Sequence, residues 1–170
     1  QAWTNPMVRV SLLGAAVIAA CAGLFAITPG SPQAILPVPW WGVVLLAVGF
    51  AFGQLVVFHL EFRLDVVTVS VNEVPMAFAL FFVDVRLAIV MWVVVASAVS
   101  CRPRPPELHK WLFNMCVFLC DAVVATFVFR SIVERSGDSV VASIVAAVLG
   151  TLAMSLVSAV IVRIAIAQFA

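Results

Sequence analysis

Apolar residues fill long stretches of this chain, and polar residues gather in short clusters that divide those stretches into elements. The first run, Met7 to Ile27, ends at the breaker cluster Thr28-Pro-Gly-Ser-Pro32, with Pro37 and Pro39 close behind, and predicts a helix over about 7–27. It lacks a basic leading region and is longer than a signal-peptide apolar core, so it reads as a retained span. A second helix is expected over about 40–59, opened by the paired indoles Trp40 and Trp41, rings that anchor at headgroup depth. It runs into the polar cluster His59-Leu-Glu-Phe-Arg-Leu-Asp65.

Between Val66 and Cys101 the apolar pattern is broken twice, at Asn72-Glu73-Val-Pro75 and at Asp84-Val-Arg86. One tilted helix from Pro75 to Cys101, holding Asp84 and Arg86 inside, is one reading. Two helices over about 66–83 and 86–101, turning at Asp84 to Arg86, are the other. Beyond the basic, proline-broken segment Arg102 to Lys110, a helix is expected over about 111–133. The polar turn Glu134-Arg-Ser-Gly-Asp138 then precedes a last helix over about 140–170.

Composition turns these runs into membrane spans. Hydrophobic residues make up 65% of 170 positions and charged ones 10%, against roughly half and a quarter in a soluble domain. A helix of about eighteen or more apolar residues can cross a hydrocarbon core of roughly 30 Å, whereas a barrel would show alternating segments of about ten residues. The expected fold is therefore all-α: a polytopic transmembrane helix bundle over 1–170, multi-pass in the inner or plasma membrane, with the lipid bilayer as its partner. A net charge of +1 with no basic stripe argues against a nucleic-acid partner.

The nine basic residues choose between five spans and six. Six spans place Arg9, Arg63, Arg102, Arg104, Lys110 and Arg163 on one side against Arg86, Arg130 and Arg135 on the other; five give an even split with Arg86 buried. The excess of basic residues on cytoplasmic faces favours six, with both termini cytoplasmic. A final helix of some thirty residues, at about 1.5 Å each, exceeds the hydrocarbon thickness and is expected to protrude into the cytoplasm as a connecting rod. Neither Gln1 nor Ala170 looks like a natural terminus, and cytoplasmic domains are expected to follow.

An ionisable side chain near the bilayer centre costs roughly 2.5 to 3.5 kcal/mol, so each needs a partner or a purpose. Glu73 is the most informative. With Pro75 two residues on, a helix capped near Asn72 would turn its free amides and the Glu73 carboxylate toward one space, as interrupted helices do at membrane binding sites. An interfacial cap with Glu73 in water is the plainer alternative. His59, Glu61 and Arg63 align on one face only if extended; on a helix His59 and Arg63 share a face without Glu61, and a solvated ion pair at the rim is the default. Lys110 and Asn114 are one turn apart, with Asp121 two turns further, giving a polar stripe that most simply holds helices together. These eight residues, Glu73, Asn72, Glu61, Arg63, His59, Lys110, Asn114 and Asp121, are the candidates for ligand binding or signal sensing.

No catalytic pattern emerges: there is no H-E-x-x-H, G-x-S-x-G or phosphate-binding glycine loop, so no catalytic residue, metal site or cofactor is predicted. His59 and His109 are isolated. Cys21, Cys101, Cys116 and Cys120 form no C-x-x-C pair and read as ordinary thiols.

Three strings carry a family likeness: His59-Leu-Glu-Phe-Arg63, then Val69-Ser-Val-Asn-Glu-Val-Pro-Met76, then Pro106 through Lys110 to Phe113-Asn114. Over roughly residues 59–114 the chain resembles the N-terminal multipass membrane region that precedes GGDEF and EAL domains in actinobacterial cyclic di-GMP signalling proteins. That region has an H-x-E-x-R stretch, a serine followed by E-x-P, and a lysine shortly before F-N. Asp84-Val-Arg86 stands where that family usually has proline or glycine, and the next helix lacks its glycines. The resemblance implies a membrane sensor or anchor, working as a homodimer, for a diguanylate cyclase or phosphodiesterase encoded beyond Ala170. A carboxylate before proline at the start of a short helix also looks like the substrate-binding subunits of energy-coupling-factor vitamin transporters, six-helix proteins of similar length. A third expectation, from another class, is an assembly subunit whose polar residues serve packing alone.

Overall fold

The structure, a computed structural model, describes residues 6–28, 35–62, 65–70, 72–101, 107–137 and 139–167. The elements run α1 (Pro6–Ala26), α2 (Trp40–Leu55), β1 (Val57–Phe62), β2 (Asp65–Ser70), α3 (Glu73–Phe82), α4 (Val85–Ser100), α5 (Leu108–Ser136) and α6 (Val140–Ala167). The body of the molecule is helical, as expected. Among the described residues, α5 and α6 are long and apolar enough to cross a membrane, which points to a membrane protein; α2, α3, α4 and the stretch Ser11–Ala26 of α1 are apolar but shorter.

The expected second and third helices are corrected by a hairpin. The helix begun at Trp40 ends at Leu55, and the next begins at Glu73. Between them β1 and β2 pair antiparallel, from Val57 opposite Ser70 to Phe62 opposite Asp65. The physical reason lies in Val66-Val-Thr-Val69, four successive β-branched residues that suit a pleated strand better than a helix.

The break at Asp84 decides for two helices over one tilted one. Val83 leaves helical geometry at φ −128° and ψ 148°. Asp84 then caps α4, its Oδ1 accepting from the Arg86 N–H at 2.8 Å and the Leu87 N–H at 3.4 Å. At the same end, the segment before α2 satisfies carbonyls that α3 leaves open: Leu36 N–H donates to Phe81 O at 3.0 Å and Val38 N–H to Phe82 O at 3.4 Å.

The core joins Phe50 of α2, Met76 and Leu80 of α3, Trp92 of α4 and Phe129 of α5. Trp92 packs on Phe50 and Phe118 with ring centroids 5.2 and 5.8 Å away. Helices α5 and α6 meet where small side chains let backbones approach. A Cβ on Gly150 would lie 2.7 Å from the Ala125 carbonyl oxygen, and the buried Ala146, Ala147 and Thr151 flank that contact. Helix α1 joins α5 through a Cys21–Cys120 hydrogen bond, and all four cysteines are free thiols. The outer side of α6 is as apolar as the inner, with Leu152, Leu156 and Val160 exposed, the all-round hydrophobicity of a helix meant for lipid.

Candidate functional site

Helix α3 has 10 residues, about 15 Å of rise, and so covers only about a third of the length of α5 and α6, which have 29 and 28. Its first residue, Glu73, meets Ser155, the sixteenth of the 28 residues of α6. Asp121, the fourteenth of 29 in α5, lies at the same level. The N-terminus of α3 therefore ends near the midpoints of the two longest helices. Pro75 is tolerated there because the first-turn N–H groups have no intrahelical acceptor.

A cleft of about 390 Å³ opens at this point. Helix α2 contributes Gln54, α3 Asn72 and Glu73, α4 Trp92, α5 Phe118 and Asp121, and α6 Met154, Ser155 and Ser158. Ser155 Oγ donates to Glu73 Oε1 at 2.7 Å and has the Thr151 carbonyl at 3.2 Å as its alternative acceptor. A helical serine ordinarily bonds the carbonyl one turn back, so this hydroxyl has two positions open to it. Ser158 bonds Asp121, yet among the described residues Asp121 Oδ1 has no hydrogen-bond partner, nor has the Trp92 indole N–H. Both side chains are buried, at 5% and 2% exposure. The cleft thus holds an unmatched acceptor and an unmatched donor.

Three of the residues singled out in the sequence meet here: Asn72, Glu73 and Asp121. His59 and Glu61 fall in β1, opposite Thr68 and Val66, and Arg63 lies outside the described residues. Lys110 pairs with Glu107 at 3.2 Å, as does His109 at 3.4 Å. Lys110 and Asn114 are exposed and do not line the cleft, since α5 buries no residue from Glu107 to Cys116. The polar stripe of α5 is thus divided by depth, and only its Asp121 end is covered. Gln54, Trp92, Ser155 and Ser158 do not stand out from sequence; a single tryptophan in an apolar run reads as packing, and serines are common between membrane helices. The i, i+3 spacing of Ser155 and Ser158 is the one signal that could have found the pair.

Among the described residues, no group of three or more His, Cys, Asp or Glu side chains is placed to hold a metal ion. Comparison of the chain with protein-family models, with curated proteins and with solved structures found no match.

Proposed function

We propose that the chain is a six-span membrane sensory module whose central cleft regulates a cytoplasmic cyclic di-GMP synthase or phosphodiesterase through α6. The observation that carries this reading is the Glu73–Ser155 hydrogen bond, which ties the short α3 to the helix that would transmit the signal. An interrupted helix ending at a cavity is a common way to build a membrane binding site. Ligand in the cleft competes for Glu73, the Ser155 hydroxyl falls back on Thr151, and α6 is freed to repack. With 28 residues, α6 is about 42 Å long, so its final turns, with the exposed Arg163, reach past the hydrocarbon. In a homodimer, repacking of two such helices changes how two output domains meet. A ligand has this effect only by binding the two packings unequally.

The test is Glu73→Gln and Ser155→Ala in the full-length protein, reading cellular cyclic di-GMP at matched membrane abundance. Both variants are expected to shift the output in the same direction by about fivefold or more, the lower range of coupling between distinct sites. Unchanged output in both sinks the proposal. The cleft also supports a second reading, a substrate-binding subunit of a vitamin-like transporter, because its volume suits a small molecule. Substrate uptake lost in Glu73→Gln with cyclic di-GMP unaltered would favour that reading.

A further inference from the structure

The charge and hydrogen-bond chemistry of the cleft can be carried to a class of ligand, on the reading of this cleft as a binding site. Its titratable lining residues are Glu73 and Asp121, both acidic; no Lys, Arg or His among the described residues lines it. The two carboxylates are not equivalent. Glu73 sits in the first turn of α3, where the positive end of the helix dipole favours a negative charge, and it accepts from Ser155. Asp121 lies mid-helix in α5, 95% buried by its 5% exposure, with Ser158 as a partner and Oδ1 unsatisfied. A buried carboxylate without a matching cation is a costly arrangement that a cationic ligand relieves.

The walls argue against a bare inorganic ion. Phe118 and the Trp92 ring bound the cleft beside Asp121, and aromatic faces attract an organic cation while covering its hydrocarbon part. The Trp92 Nε1–H, buried and without a partner, calls for an acceptor on the same ligand. We infer that the cleft between α3, α4, α5 and α6 takes a small organic ammonium compound, its charged group on Asp121 and a hydroxyl or carbonyl acceptor on the Trp92 indole.

The probes are three isosteres: tyramine as the cation, tyrosol as the neutral analogue and 3-(4-hydroxyphenyl)propionate as the anion. Binding is measured on the full-length protein in lipid nanodiscs by ligand-observed NMR. Saturable binding of tyramine, with tyrosol and the propionate at least about tenfold weaker, is expected from charge complementarity at a desolvated site. Equal or tighter binding of the anion or the neutral analogue overturns the inference, as does no binding of tyramine at millimolar concentration. Asp121→Asn should weaken tyramine about thirtyfold or more, the effect of removing one member of a buried charge pair. Trp92→Phe, which keeps a ring, should weaken tyramine by about three- to tenfold and leave phenethylamine, which lacks the hydroxyl, unaffected. Equal loss for both amines in Trp92→Phe assigns the indole to packing and overturns its role as donor, a result that stands even if Asp121→Asn fails to fold. Tyramine bound with cyclic di-GMP output insensitive to Glu73→Gln removes the signalling proposal and keeps the ammonium site; preference for the anion does the reverse.

Discussion

Asp84 shows how one side chain can set the course of a chain. Its Oδ1 accepts two amides of α4, and its charge also acts on the buried Arg130, whose guanidinium lies 6.0 Å from the centre of the Phe129 ring. Replacing it with Ala is expected to lower stability by about 1 kcal/mol through the lost cap, read as the midpoint of thermal unfolding in detergent. Asp84→Asn keeps a capping oxygen and should retain most of that stability. Equal losses in the two variants would assign the role of Asp84 to its charge opposite Arg130. At this scale the sequence was legible where a polar residue interrupts an apolar run: Asn72, Glu73 and Asp121 stand out that way, and all three line the cleft. Trp92 and Ser155 do not, because their importance comes from the partners that other helices bring to them, or fail to bring.

For the elements, hydropathy and breaker residues were enough to separate six helices, because proline clusters and polar turns coincide with real ends. The pattern fails over about 56–59 and 66–72, where apolar content predicts helix although the β-branched residues Val66, Val67, Thr68 and Val69 favour extension. Helix contacts were not legible at all, and the glycines illustrate why. Gly23 has nothing within 4 Å of an added Cβ, whereas Gly150 would place one 2.7 Å from a backbone oxygen of α5. Gly23→Ala should therefore be neutral or stabilise by up to about 1 kcal/mol through helix propensity. Gly150→Ala should destabilise by about 1–3 kcal/mol by forcing α5 and α6 apart. Thermal melts of the two variants side by side decide it; a neutral Gly150→Ala would mean that these helices are less closely packed than described. A related constraint sits at Gly137, which ends α5 at φ 62° and ψ −158°, a conformation nearly confined to glycine.

Taken as a whole, the described residues carry their exposed charges toward the helix ends with an apolar exterior between them, the division expected of a bundle within a bilayer. The proposed topology of six spans with cytoplasmic termini would place Ser136 outside the cell and Glu107 inside, at opposite ends of the single helix α5. Both are exposed. In a background with the native cysteines replaced, Ser136→Cys should react with an impermeant maleimide on intact cells, and Glu107→Cys only after permeabilisation. Labelling of both from the same side would show that α5 does not cross, and the topology would fall with it.

The shortness of α3 also bears on how the protein is made. Ten residues fall well short of the roughly twenty that cross a bilayer, so on the proposed topology α3 enters the lipid as a hairpin with α4, joined by the Asp84 turn. Its carboxylate then waits for a hydroxyl of α6, which is synthesised later in the chain. Formation of the cleft is thus coupled to the arrival of α6, because until Ser155 is in place Glu73 lacks the hydroxyl that it accepts from in the folded protein.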